Sequence, residues 1–205
     1  MQISGYQPLT LSDYPGKTAA IVFTQGCNMA CPYCHNSQLI ACTKGDLDTH
    51  AILHTLEQRK KMLQGVVITG GEPTVQKNLA AFCQQIQDMG LRVKLDTNGS
   101  RPRIVKQLIE TKLIDYVAMD IKAPLNKPDK HMQLTGSPIP VDRIEQTMQL
   151  IRQSGIAHHF RTTAYKTLLN QEDLELIQIQ IPKTSLHVMQ NYVPQQIPNE
   201  RGRSV

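Results

Sequence analysis

Short apolar runs alternate along this chain with longer stretches whose apolar positions recur every three or four residues. Ala19–Thr24 (Ala-Ala-Ile-Val-Phe-Thr) reads as a buried strand, and residues 48–63 follow with Ile52, Leu56, Arg59 and Leu63 on one helical face. Residues 66–69 form a second short strand ending in Gly70-Gly71-Glu72-Pro73, before a helix marked by Leu79, Phe82, Cys83 and Ile86. Arg92–Thr97 is a third strand, and Ile104, Val105, Leu108 and Ile109 mark the next helix. A fourth strand over 115–121 runs into Lys122-Ala123-Pro124. Asp142-x-x-Glu145 has the form of a capping box, with Ile144, Met148 and Ile151 on the helix it would open. The last strands fall at 157–163 and 185–189, separated by a helix over 170–181 that Pro182 closes.

Six strands with intervening helices predict an α/β fold built on a parallel sheet. At 205 residues, with no shift in composition, the chain is expected to be one domain over 1–205. Residues 1–18 would be a lead-in and the polar stretch 194–205 a loose tail. The alternation also gives the polar residues a geometry. Cys27, Glu72, Asp96, Asp120 and Arg161 all fall at or just past the C-terminal end of a predicted strand, the edge where parallel α/β sheets bind ligands.

Composition narrows the picture. Hydrophobic residues make up 40% with no tryptophan, six tyrosines and three phenylalanines, so the core is mainly aliphatic. The net charge of +5 is scattered rather than gathered into a basic tract, which argues against nucleic acid and suits a solvated surface or an acidic partner. No targeting feature or membrane-length apolar run is visible, so the expected compartment is the cytoplasm and no membrane partner is expected. Five cysteines, an odd number outside an oxidising compartment, do not read as a disulfide framework.

Three of those cysteines lie in Cys27-Asn-Met-Ala-Cys31-Pro-Tyr-Cys34, directly followed by His35 and Asn36. A cubane iron–sulfur cluster usually takes four cysteines; three would leave one iron open to a cofactor or substrate. A zinc site with His35 as fourth ligand is the alternative, although His35 adjoins Cys34 and no second ligand pair is visible. Cys42 and Cys83 are expected to stand outside the site, Cys83 as a small hydrophobe on a helix face.

The motifs taken together resemble the radical S-adenosylmethionine (AdoMet) superfamily, and within it the activating enzymes of glycyl radical enzymes, most of all those serving anaerobic ribonucleoside-triphosphate reductase. The resemblance rests on Ser12-Asp13-Tyr14-Pro15-Gly16, Phe23-Thr-Gln-Gly26-Cys27, Tyr33-Cys34-His35-Asn36, Gly70-Gly-Glu-Pro73, Asp96-Thr-Asn-Gly99, Asp120-Ile-Lys122 and Arg161-Thr-Thr163. It implies a partial (β/α)6 barrel. It also implies a 4Fe–4S cluster on Cys27, Cys31 and Cys34 whose open iron chelates the amino and carboxylate groups of AdoMet. One electron from a flavodoxin- or ferredoxin-type donor would cleave AdoMet to methionine and a 5′-deoxyadenosyl radical, which takes a hydrogen from a glycine of a partner enzyme.

By the same resemblance Gly70, Gly71 and Glu72 would serve the methionine ammonium. Asp96, Thr97 and Asp120 would form a monovalent-cation site beside its carboxylate. Lys122, Arg161 and Thr162 would reach carboxylate or ribose, Tyr33 and His35 would adjoin adenine, and Gln190 would stand where relatives place a histidine. Asp13 would help receive the partner's glycine loop. Two other functions remain open from sequence: a radical AdoMet enzyme acting on a small molecule, as 7-carboxy-7-deazaguanine synthases do, and a non-catalytic zinc module.

Overall fold

The computed structural model of the chain describes residues 1–194; beyond Pro194 the expected tail lies outside the described residues. Thirteen elements follow in order: β1 (Ile3–Thr10), β2 (Ala19–Thr24), α1 (Thr49–Arg59), β3 (Gly65–Gly70), α2 (Leu79–Asp88), β4 (Arg92–Thr97), α3 (Pro102–Glu110), β5 (Tyr116–Asp120), α4 (Pro128–Thr135), α5 (Val141–Ser154), β6 (Ala157–Ala164), α6 (Gln171–Gln180) and β7 (Leu186–Asn191). The strands form one seven-stranded sheet in sequence order, β1 to β7. Strands β2 to β7 are parallel to their neighbours, and β1 pairs antiparallel with β2. β1 and β7 do not pair, so the barrel is partial.

The six expected strands are all present to within two residues at either end. β1 is the element missing from the sequence reading, which treats 1–18 as a lead-in. Its sequence, Ile-Ser-Gly-Tyr-Gln-Pro-Leu-Thr, lacks an apolar alternation and contains a proline. An edge strand tolerates both, because only one side must pair, and the register breaks between Gln7 and Thr10 where Pro8 sits. α4 is also new. Pro128 in its first turn and Gly136 at its end are the punctuation marks that could have revealed it.

Two helix starts behave differently from expectation. α5 opens after Pro140 with no side-chain cap, so Asp142 lies in the first turn and forms no capping box; there it still faces the favourable end of the helix dipole. A reciprocal capping box instead opens α6, between Asn170 and Asp173. α1 is capped by Asp48, where the expected helical stretch begins, but ends at Arg59, leaving Leu63 buried in the following loop.

The outward faces of the parallel strands, with Val22, Val66, Ile68, Val93, Leu95, Val117, Met119 and Phe160, pack against the helices as the main core. The inward faces line a lumen. Its lower end is filled by Tyr14, Ala19, Ile21 and Val67, with Phe23 and Tyr116 packed alongside. The upper end is polar, and there the strand C-termini converge.

Candidate functional site

The cysteine loop leaves β2 and is pinned on two sides. Gly26 and Cys27 donate backbone hydrogen bonds to the carbonyls of Leu39 and Ile40 (2.8 and 3.0 Å), and Ala30 N–H donates to Thr135 O at 2.7 Å. The end of α4 therefore holds the loop from above. Asn28 adds a side-chain tie, donating to Ser100 Oγ (2.8 Å) and accepting from Asn98 Nδ2 (2.9 Å). These restraints bring Cys27, Cys31 and Cys34 to one wall of a cavity of about 300 Å³.

All five thiols are free. Burial pushes the Cys27 thiol up to about 12 and raises Cys31 as well, so loading these positions with a metal centre must displace protons. A tetrahedral zinc site would need a fourth ligand beside these thiols, and the Nε2 of the candidate, His35, lies 2.8 Å from Val193 O. A cluster takes each cysteine on a different iron, and the three thiols of one short loop on one cavity wall fit that group.

β3 ends in Gly70 and Gly71 follows it, and both line the cavity. Their lack of side chains is explained by the chain itself. A Cβ on Gly70, which has φ +113°, would lie 2.3 Å from Thr24 N, and one on Gly71 would lie 2.2 Å from Gly26 O. Only glycine lets the β3 loop pack against the root of the cysteine loop. Glu72 closes the arrangement. Its carboxylate accepts from Thr74 N (3.1 Å), Thr74 Oγ1 (2.6 Å), Thr97 Oγ1 (2.8 Å) and Asn98 N (2.7 Å). Burial raises its pKa, against the pull of those four donors.

The acidic residues expected to hold a monovalent cation are occupied by the protein's own cations. Asp96 Oδ1 takes the Lys94 ammonium and Oδ2 takes Arg161 Nη1 at 3.3 Å. Asp120 Oδ1 accepts from Arg161 Nε at 2.7 Å and Oδ2 from Lys122 Nζ at 3.2 Å. Thr97 Oγ1 is spent on Glu72. Burial alone would raise Asp120, but Arg161 and Lys122 outweigh it and hold the carboxyl well below the usual range. Burial would likewise lower Lys122, and Asp120 more than reverses it.

Thr162 does not enter the cavity. Strand alternation turns it outward, where Oγ1 donates to Ile121 O and meets His187 Nε2, each at 2.9 Å; Thr163 lines the cavity instead, as do Gln190 and Asp13. Tyr33 and His35 also line it. Tyr33 stacks on Tyr165 (5.0 Å between centroids) and His35 on Tyr192 (5.4 Å), while His35 Nε2 lies 2.8 Å from Val193 O. The end of β7 is thus fastened to the cysteine loop. Cys42 is exposed, outside the cavity, and Cys83 is buried in the core on α2.

Sequence reading missed Lys94, His159 and Tyr116, which face the lumen below Asp96. Alternation from Asp96 and Arg161 could have found the first two. His159 Nδ1 lies 2.9 Å from Tyr116 Oη, and burial, then Lys94, bring its pKa down to about 4. The imidazole is therefore neutral throughout the physiological range, whereas an exposed histidine titrates near 6.5. In an NMR titration from pH 7.5 to 5.5 the His159 ring resonances are expected to stay still. The unfolded chain takes up that proton first, so this residue's stabilising contribution is lost as pH falls from about 6.5 toward 4. A His159 midpoint near 6.5 would contradict the buried placement.

Fold and site together define the class: the chain belongs to the radical SAM superfamily, whose profile matches residues 21–178. Membership implies a 4Fe–4S cluster and AdoMet. More particularly, the chain is 32% identical over 206 residues to a provisionally named glycyl-radical enzyme activating enzyme of Methanocaldococcus jannaschii, covering 99% of this chain and 85% of that protein. It is 30% identical over 137 residues to the 7-carboxy-7-deazaguanine synthase of Methanopyrus kandleri, covering 57% of this chain and 54% of the synthase. Streptococcus suis SuiB bound to S-adenosylmethionine shares the fold, with a TM-score of 0.67 at 16% identity over 84% of this chain and 40% of SuiB. The chain thus spans about half of the synthase and two fifths of SuiB. No described helix is long and apolar enough to cross a membrane.

Proposed function

We propose that this protein is a glycyl-radical-generating enzyme and that its partner is an anaerobic ribonucleoside-triphosphate reductase. The observation that carries the reading is the likeness to the M. jannaschii activating enzyme along nearly the whole chain; the likeness to the deazaguanine synthase covers little more than half. Cys27, Cys31 and Cys34 would hold the 4Fe–4S cluster. When bound, the cluster supplies one electron to the sulfonium of AdoMet, giving methionine and a 5′-deoxyadenosyl radical able to take a glycine Cα hydrogen.

The chain's own residues position and shield. Lys122 and Arg161 bring positive charge to the cavity wall for the methionine carboxylate. The backbone carbonyls of the Gly70-Gly71 turn can accept from its ammonium, and the Tyr33 ring offers an apolar face for adenine. Asp13, exposed where the cavity reaches the lead into β2, would meet a backbone amide of the partner's glycine loop. Reduction would come from an acidic flavodoxin- or ferredoxin-type protein in the cytoplasm.

Cluster-loaded protein, reduced flavodoxin, AdoMet and an anaerobic ribonucleotide reductase should together produce a glycyl radical doublet in the electron paramagnetic resonance spectrum of the reductase. Reductive AdoMet cleavage without that signal, accompanied by turnover of a small molecule, would sink the activase reading and favour the synthase-like one.

A further inference from the structure

The lumen holds an unbroken ladder of opposite charges, Lys94–Asp96–Arg161–Asp120–Lys122. Each carboxylate stands between two cations, and three positive charges face two negative ones, which leaves one positive charge for an incoming carboxylate. Lys94 begins the ladder. It lies two residues before Asp96 on β4, so both point into the lumen, and its register neighbours are Val67 on β3 and Tyr116 on β5. Its side chain is only 2% exposed.

A lysine is almost never buried so completely unless it is paired, and the desolvation of an ion is a cost that a bare structural pair recovers poorly. An apolar residue between Val67 and Tyr116 would fill the same space at lower cost, so the charge calls for a role. The monovalent-cation site implied by the family resemblance offers one, because the side-chain oxygens named for such an ion are all engaged. Both oxygens of Asp96, both of Asp120 and the Thr97 hydroxyl have protein partners.

We infer that the Lys94 ammonium, held on Asp96 behind the cavity wall, is a tethered monovalent cation that takes the place of an exchangeable alkali ion there, while the Arg161 guanidinium faces the AdoMet carboxylate. Lys94 is thus a positioning residue: it neutralises Asp96 and so lets Arg161 and Lys122 keep their surplus charge for the ligand. The inference rests on the proposed AdoMet site and says which counter-ion that site uses.

The test is calorimetric AdoMet affinity of the anaerobic, cluster-loaded protein. It is measured in buffer whose only small cation is tetramethylammonium, then with potassium or sodium at matched ionic strength. The native protein is expected to bind equally in all three. Lys94→Met should bind roughly tenfold more weakly without alkali ions and regain most of that loss in potassium, while Lys94→Arg should stay insensitive to the salt. An affinity of the native protein that rises tenfold with potassium overturns the inference. So does a Lys94→Met loss that potassium does not restore, since that is the signature of a purely structural pair. The native-protein comparison alone decides the matter if Lys94→Met fails to fold. Absence of AdoMet binding by the native, cluster-loaded protein in every salt would overturn the proposed function itself, and this inference with it.

Discussion

Single replacement of Cys27, Cys31 or Cys34 by alanine is expected to abolish cluster assembly, with iron content and AdoMet cleavage both falling to background. Three thiols from one loop line one cavity wall, and no spare thiol among the described residues shares that cavity. Cys42→Ala and Cys83→Ala should retain iron at the native level. Cys42 is exposed, with Sγ 3.8 Å from the Cys27 carbonyl, and does not line the cavity. Cys83 lies in the aliphatic core, where trimming it should cost about 1 kcal/mol of folding stability and nothing in iron. Metal analysis after anaerobic reconstitution, with circular dichroism to verify folding, checks all five. Full iron in any of the first three removes that cysteine from the ligand set, and loss in either of the last two adds one.

Glu72→Ala should have the largest effect on stability, about 3–5 kcal/mol by chemical denaturation. Glu72 is 1% exposed, and its carboxylate accepts all four of its hydrogen bonds from the loop after β3, the last residue of β4 and the loop after β4. Deleting it leaves the buried Thr74 and Asn98 amides without acceptors, at roughly 1–3 kcal/mol each. Glu72→Gln keeps the volume but turns an amide N–H toward a donor, because all four partners donate. It should therefore lose about 1–3 kcal/mol rather than none. Since Gly70 and Gly71 hang from the same turn, AdoMet affinity should fall in both variants. A Gln variant as stable as the native protein would show that the carboxylate does not tie these loops.

The parallel strands were legible because strands buried on both faces read as near-continuous apolar runs. The site edge was legible because Asp96, Asp120 and Arg161 fall at or near the ends of their strands, whereas Lys94 and His159, which interrupt β4 and β6 earlier, were missed. β1 escaped because its pairing with β2 satisfies backbone groups that leave no trace in side-chain pattern. α4 escaped because eight residues give too short a helical period, although its caps were visible. Thr162 was misplaced by motif proximity. Its neighbours Arg161 and Thr163 face the lumen, and strict alternation forces it to the other side.

The amino-acid sequence by itself determined the cysteine spacing, the order of strands and helices, and the strand ends to which the ligand-facing residues belong. These depend on local periodicity and on neighbours a few residues apart. Only the tertiary structure decided that Glu72 ties two loops, that α4 holds the cysteine loop, and that Lys94 and Arg161 neutralise Asp96 and Asp120. Apart from Lys94 and Asp96, which are two residues apart on β4, each of those contacts joins residues that lie on different strands, loops or helices. Which charges end up sharing a buried volume follows from sheet curvature and register, and these appear only when all the strands have assembled.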